Sequence, residues 1–578
     1  MTPEPKYRAP LPSGTVHLDG VRKRALEMGR NRLVITAGVF ALAFFAIGLR
    51  MIDVTVVQGS AQTAVAGSRA AETRLFDRAD VTDRNGVLLA TSLPASALYA
   101  HPREIADPVR TARRVTEILP DLNAAEIQAR LQSERAFVYI HRSLTPLQTY
   151  QINALGVPGL YFETTERRVY PQGQLTAHIT GLTDIDNKGI AGIEKTFDQE
   201  LTDRRQPLRL SIDLRVQSVL HAELTRAKAE FNAIGAAGLI MDTKTGEILA
   251  MVSLPDFDPN TPSSATPDAL FNRVTLGVYE MGSTFKLFNT AAALDSGTSK
   301  MNSVYDVSSP IKIARFSITD YHRENHPLTV ADILKVSSNI GSAQMAMAMG
   351  TENQKNFMQR MGMLRPASIE LPETGAPLFP QNWREINTMT ISYGHGMAVT
   401  PLHVVSGVSA LINGGYLRPA TLLAREGSDP LPGSRVLKPK TSEDMRTLMR
   451  LVVAEGTGGK ANVPGYEVGG KTGTAEKTGV GGYRHKALLS SFVAAFPMSD
   501  PRYTVLAIVD EPQGTRQTYG FATGGWTAAP IAGRVIAQIA PLLGIEPVGT
   551  RDVAAKKGQD ARYVTAKHNV GAPLDDAE

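Results

Sequence analysis

The sequence predicts an α+β, multidomain protein carried on a single N-terminal transmembrane helix. Three observations lead there. A chain of 578 residues exceeds what one ordinary hydrophobic core organises. An uncharged apolar run follows a basic N-terminal stretch. A β-hairpin signal near residue 240 and strand-like segments near residue 500 enclose mostly helical material, which is the pattern of a sheet built from both ends of a domain around a helical insertion.

The anchor comes first. Residues 1–32 carry seven basic side chains against three acidic ones, a net +4. They abut the run from Leu33 to Leu49, which contains no charge and meets the short end of the roughly 17–25 residues that span a bilayer. Basic flanking residues stay in the cytoplasm, so everything beyond residue 53 is expected outside the membrane. Ala64-Val65-Ala66 has the chemistry of a signal-peptidase site, but it lies 15 residues past Leu49 with Arg50 and Asp53 between. The reading is therefore an uncleaved anchor over 33–53, behind a cytoplasmic tail over 1–32.

Composition removes several functions. The chain has no cysteine, which excludes disulfides, cysteine nucleophiles and thiolate metal sites and fits the periplasm. The net charge is +5, but +4 of it sits in the first 32 residues. No basic face is left for nucleic acid. At 43% hydrophobic and 20% charged residues, the chain has the composition of a globular protein.

After the anchor the elements are short. Asp83-Arg84-Asn85-Gly86 between apolar runs reads as a hairpin turn. Residues 124–132 read as a helix, residues 136–140 as a strand, and Arg168 with Glu194 as a structural charge pair. Near residue 207 the texture changes. Residues 208–213 alternate like a strand, and Val216, Val219, Leu220 and Leu224 follow at helical spacing. Residues 238–242 and 247–252 about the turn Thr243-Lys244-Thr245-Gly246 form a hairpin. Further strands are expected at 489–496 and 503–510, a closing helix at 529–543, and a disordered polar tail over 546–578.

Two Ser-x-x-Lys and three Lys-Thr-Gly copies compete for a catalytic role. Ser283-Thr284-Phe285-Lys286 opens an apolar helical run, where spacing of three puts hydroxyl and amine on one face and a helix start supplies free N–H groups. Ser309 is followed by Pro310 and a β-rich stretch, so Lys312 is not aimed back at it. A serine hydroxyl needs a base. A lysine serves as one only when burial or a neighbouring cation keeps it neutral, which directs attention to a second lysine downstream. Lys244 stands at a hairpin tip, and Lys477 in a Gly-rich run reads as turn. Lys471 alone lies in a strand-like segment, where Gly473 leaves room for an extended substrate. Ser337-Ser338-Asn339 follows the helical pattern of residues 330–336, at a loop between helices. His322 and His326 are four apart, but Glu324 is misplaced for a zinc helix and Pro327 follows, so a solvated loop is the reading and no metal is expected.

In order, Ser283/Lys286, Ser337/Asn339 and Lys471-Thr472-Gly473 are the trio of penicillin-binding proteins and serine β-lactamases. With Arg78, Asp83-Arg84-Asn85-Gly86, residues 168–173, Ala177-His178, residues 189–194, Asn272-Arg273, Tyr393-Gly394-His395-Gly396 and residues 399–402, the chain resembles a class B penicillin-binding protein of the division-specific, penicillin-binding protein 3 type. The likeness covers about residues 30–545. It departs at Ala79, usually Gly, at Met281 and Leu287, where prolines are common, and in a short loop near 205.

The resemblance implies a β-rich periplasmic pedestal domain over 54–206 and a transpeptidase domain over 207–545, an antiparallel sheet flanked by helices. It implies a septal D,D-transpeptidase of the bacterial inner membrane that acts on peptidoglycan stem peptides, is acylated by β-lactams and needs no cofactor. Its partners would be a multi-pass lipid II glycan polymerase and other division proteins. Lys286 would deprotonate Ser283, which attacks the bond between two terminal D-alanines. The N–H groups of Ser283 and Thr474 would form the oxyanion hole. Lys471, Thr472 and Thr474 would hold the terminal carboxylate, Gly473 would border the bound substrate, Asn339 would orient the peptide amide, and Ser337 would relay a proton to the leaving amine. A β-lactamase would be smaller and carry a deacylating base, and a β-lactam sensor would carry more spans and an effector domain. The elongation transpeptidase is the nearest rival.

Overall fold

The computed structural model describes Gly38, residues 41–46 and residues 78–548, apart from 204–205, 314–315, 428–430 and 480–481. The expected tail and anchor at 1–53 fall almost wholly outside the described residues, as does the C-terminal tail from 549 on. Among the described residues no helix is long and apolar enough to cross a membrane.

The N-terminal region is built on one long strand. β2 (Leu88–Ala100) pairs antiparallel with β1 (Val81–Thr82), β3 (Val138–Leu144) and β4 (Leu160–Val169). The β1–β2 turn is the expected one. Its geometry differs in that only Gly86 takes a positive φ, 86°, while Asp83 Oδ1 holds the turn by accepting from Asn85 N and Val87 N at 2.7 and 2.8 Å. Helices at Pro108–Ile118, Ala124–Leu131 and Pro146–Asn153 cover this sheet, so the region is mixed rather than dominated by strands. Arg168 and Glu194 pair as expected and do more: Glu194, fully buried, takes Arg168 Nε on one oxygen at 2.7 Å and Arg78 Nε on the other at 2.6 Å.

The strand expected over 208–213 shrinks to β5 (Leu208–Arg209), which pairs parallel with β1. Beyond it the backbone leaves the pedestal sheet. Ser211 N donates to Leu422 O at 2.8 Å, so the segment ties the two regions together instead of extending one sheet.

The C-terminal region is a three-layer sandwich. Its antiparallel sheet runs in the order β8 (Gly469–Gly479), β9 (Gly482–Phe496), β10 (Tyr503–Asp510), β6 (Gly235–Asp242), β7 (Ile248–Leu254). It therefore joins an early hairpin to three late strands. On one face Val505, Ala507 and Val509 pack with Val216, Leu220 and Leu224 of α1 (Leu214–Glu230) and with Ile531, Val535 and Ile539 of the closing helix at Ala528–Leu542. On the other, Leu506 and Ile508 meet a helical insertion. β10 is buried along its length, because both faces are covered. Inside the insertion, α2 (Phe285–Ser296) is buried from Phe285 to Ala293, and α3 (Val330–Val336) and α4 (Asn339–Met349) meet at the Ser337-Ser338 corner.

Candidate active site

Three local structures converge. The first is a 3₁₀ turn, Gly282–Thr284, that leads into α2. Ser283 therefore stands one turn ahead of the α-helix rather than within its first turn, and Lys286 lies in the helix proper. Gly282 has φ 52° and lies so close to the β8 strand that a Cβ would meet Thr474 O at 2.3 Å. A side chain there would push the Ser283 turn off the strand.

The second is the corner between α3 and α4. Ser337 ends α3 in the left-handed conformation, φ 63° and ψ 45°. For a residue with a side chain this costs about 1–2 kcal/mol, and such strain gathers at functional sites. It turns both the carbonyl and the hydroxyl of Ser337 toward the buried lysines. Ser338 caps α4 by accepting from Gly341 N at 2.9 Å.

The third is β8, an edge of the main sheet, with Lys471 opposite Val493 and Gly473 opposite Ser491. Lys471 and Gly473 share one face of the strand. The space a Gly473 side chain would occupy is held by Ser491 Oγ, Thr284 Oγ1 and Met281 O, at 2.3, 2.6 and 2.7 Å from an ideal Cβ. The glycine thus lets the strand press against the Ser283 turn. That corrects the expectation that its small size makes room for substrate.

Together they surround two buried amines. Lys286 and Lys471 are both fully buried. Lys286 Nζ lies 3.0 Å from Ser283 Oγ, 2.5 Å from Ser337 O, 3.1 Å from Ser337 Oγ and 2.7 Å from Asn339 Oδ1. The carbonyl and the amide oxygen can only accept, so they take two N–H groups. If neutral, Lys286 then has its lone pair left for the hydroxyls of Ser283 and Ser337. Burial first, and the Lys471 charge second, hold Lys286 well below the ordinary lysine range, while Asp320 pulls the other way.

Lys471 Nζ meets three acceptors: Ser337 Oγ at 2.9 Å, Thr472 Oγ1 at 3.2 Å and Thr472 O at 3.3 Å. This set matches the three donors of an ammonium. Burial lowers Lys471 to about 7. Thr472 Oγ1 also lies 3.1 Å from Thr457 Oγ1, and Thr474 Oγ1 accepts from Gly524 N at 3.0 Å. All eight predicted site residues, Ser283, Lys286, Ser337, Asn339, Lys471, Thr472, Gly473 and Thr474, thus fall in one constellation. It can draw a proton from Ser283 and pass it through Ser337.

The rival copies stand elsewhere. Ser309 is exposed, and Lys312 lies in a small strand, Ile311–Ile313, paired with Ser317. Lys244 binds Asp500 at 2.8 Å on the surface. Lys477 is not the turn: it lies within β8 at a bulge and pairs with Asp510 and Glu511 at 2.8 and 2.9 Å. His322 and His326 are exposed in an irregular segment. Sequence reading passed over Asp320. Its Oδ1 accepts from Asn339 N at 2.5 Å and Ile340 N at 3.0 Å, and its Oδ2 accepts from Ser338 Oγ at 2.6 Å. No motif spacing marks it.

A Ser-x-x-Lys helix start, a Ser-x-Asn corner and a Lys-Thr-Gly sheet edge about two lysines define the penicillin-recognising serine proteins. Comparison with known proteins agrees. Residues 236–537 match the penicillin binding protein transpeptidase domain and residues 76–207 the penicillin-binding protein dimerisation domain. The probable peptidoglycan D,D-transpeptidase FtsI of Caulobacter vibrioides is 43% identical over 483 residues, 81% of this chain and 82% of that protein. Escherichia coli K12 FtsI, a peptidoglycan D,D-transpeptidase, is 31% identical over 504 residues, 81% of this chain and 84% of its own length. The crystal structure of penicillin binding protein 3 from Mycobacterium tuberculosis complexed with aztreonam shares the fold, with a TM-score of 0.65 at 22% identity over 82% of this chain and 97% of that one. The chain belongs to the penicillin-binding proteins that join a dimerisation domain to a transpeptidase domain.

Proposed function

We propose that this chain is a serine-type peptidoglycan D,D-transpeptidase that crosslinks stem peptides at the division septum. The observation that carries the reading is the position of Lys286 Nζ, 3.0 Å from Ser283 Oγ with its other contacts on fixed acceptors. Lys286 takes the Ser283 proton as the serine attacks the carbonyl between two terminal D-alanines. The N–H groups of Ser283 and Thr474 face the developing oxyanion. The proton returns through Ser337 to the departing D-alanine, and an amine from a second stem then displaces Ser283 to form the crosslink. Water excluded from the two lysines strengthens each of these interactions.

Donor binding follows from the sheet. β8 is an edge strand, so an extended peptide adds alongside it through backbone hydrogen bonds. Its terminal carboxylate then reaches Lys471, Thr472 and Thr474. A β-lactam presents the same carboxylate and carbonyl and acylates Ser283. Asn339 is held by Lys286 on its oxygen and by Thr319 O on its nitrogen at 2.9 Å, so in this state it supports the base. Its second N–H is not taken by Thr319 and is the one left to reach the carbonyl of the peptide amide.

The domain plan proposed for the whole chain is a cytoplasmic tail over 1–32, an anchor over 33–53, a periplasmic pedestal over 54–206, a transpeptidase domain over 207–545 and a polar tail. It places catalysis on the periplasmic side of the inner membrane, beside a lipid II glycan polymerase and other division proteins. Depletion in the native bacterium tests the septal assignment. Filaments are expected, whereas round cells would assign the chain to elongation. A mature N-terminus near Gly67 by mass spectrometry would rule out the anchor.

A further inference from the structure

Lys286 is buried beside a second amine, and the Ser337 corner needs something to hold its strained backbone. One side chain bears on both. Asp320 spreads its carboxylate over the first turn of α4, accepting from the backbone N–H of Asn339 and Ile340 and from Ser338 Oγ. A carboxylate at an α-helix N-terminus satisfies orphan donors and meets the positive end of the helix dipole. The neighbouring Thr319 O takes the Asn339 side-chain amide at 2.9 Å, which forces Asn339 Oδ1 toward Lys286. Residues 319–320 therefore clamp Asn339 by backbone and side chain together, immediately after the small hairpin at Ile311–Ile313 and Phe316–Ile318.

We infer that Asp320 is a positioning residue of the transpeptidase site: it holds the Ser337–Asn339 corner on Lys286 and supplies the negative charge that Lys286 faces. Its hydrogen bonds go to Ser338, Asn339 and Ile340 rather than to Ser283, and it acts through Asn339. The inference rests on the proposed base role of Lys286.

The charges facing Lys286 are Lys471 from β8, Asp320 from this loop and His395 from the 393–396 segment, beside the hydroxyls of Ser283 and Ser337. Glu280 and Glu476 act on His395. Of the two charges that act on Lys286, Lys471 disfavours its protonated form and Asp320 favours it. The sign of its removal follows. Without the carboxylate Lys286 loses its proton at lower pH and becomes a weaker base.

The test uses the full chain in detergent and the second-order rate of acylation by a fluorescent penicillin from pH 4 to 10. Asp320→Asn keeps an acceptor oxygen for the two N–H groups, so it should fold with a near wild-type melting temperature. Its ascending acid limb should move toward acid by about half to one pH unit, with a lower maximum rate. Asp320→Glu should restore the wild-type limb. Asp320→Ser, neutral but able to cap, is the second neutral variant should the asparagine variant not fold. A folded neutral variant whose acid limb coincides with wild type overturns the inference and leaves Asp320 a helix cap alone. Wild-type protein without an ascending limb, or a Ser283→Ala variant that still labels, overturns the base reading itself, and the two failures are thus separable.

Discussion

The amines of Lys286 and Lys471 share one hydroxyl: Ser337 Oγ lies 3.1 Å from the first and 2.9 Å from the second. Their surroundings nevertheless suit opposite protonation states. Lys471 has an acceptor for each N–H of an ammonium, and Lys286 has a lone pair's worth of contact with two hydroxyls. Each lysine also discourages the other from being charged, so the pair holds one proton more readily than two.

That asymmetry predicts the outcome of exchanging the lysines. Lys286→Arg keeps the charge but removes the base, because a guanidinium does not give up its proton. Acylation by a penicillin should fall by roughly 10²–10⁴-fold, the usual worth of a positioned base. Lys471→Arg should retain measurable acylation, and Lys471→Ala should lose considerably more, about tenfold to a hundredfold for a lost charged hydrogen bond. Lys244→Ala and Lys477→Ala should stay near wild type, since both pair with carboxylates away from Ser283. An active Lys286→Arg protein contradicts the assignment.

The same pair predicts a bell-shaped pH profile for the second-order acylation rate, which reports the free enzyme. The rate should rise as Lys286, held low by burial and by Lys471, loses its proton. It should fall as Lys471 loses its own, at about 7. Lys471→Arg should remove the alkaline limb, because arginine stays charged. A wild-type descending limb near 10, the ordinary lysine value, contradicts this order.

In the pedestal, Glu194 is wholly buried between Arg78 and Arg168. Glu194→Ala leaves the Arg168 guanidinium buried without a carboxylate and Arg78 with Asp198 alone, at 2.7 Å. It should destabilise the chain by about 3–5 kcal/mol, read as a lower denaturation midpoint. A loss below about 1 kcal/mol would place the network among surface pairs instead.

Much of this architecture was legible in sequence because it is local. The turn at Asp83, α1, the β6–β7 hairpin, β10 and the closing helix each announce themselves by spacing within a dozen residues. The order of the three motifs was equally legible, and choosing Lys471 over its two rivals needed only the strand-like pattern around it. What stayed hidden depends on distant chain. Asp320 acts only because a hairpin returns it to α4. Gly473 is crowded by Met281 and Thr284, nearly two hundred residues upstream in sequence. Lys477 looked like a turn because glycines follow it, whereas β8 and β9 continue past it to Gly479 and Gly482. Residues 210–213 left their strand because Leu422 and Leu423 offer partners no local pattern reveals.

The central claim is that Ser283, activated by Lys286, is the acylated residue. Intact-protein mass spectrometry after penicillin treatment, followed by peptide mapping, tests it most directly. One adduct per chain is expected, on the peptide carrying Ser283, absent in Ser283→Ala and unchanged in Ser309→Ala. An adduct that maps to Ser309 or Ser337, or that persists in Ser283→Ala, would contradict the account.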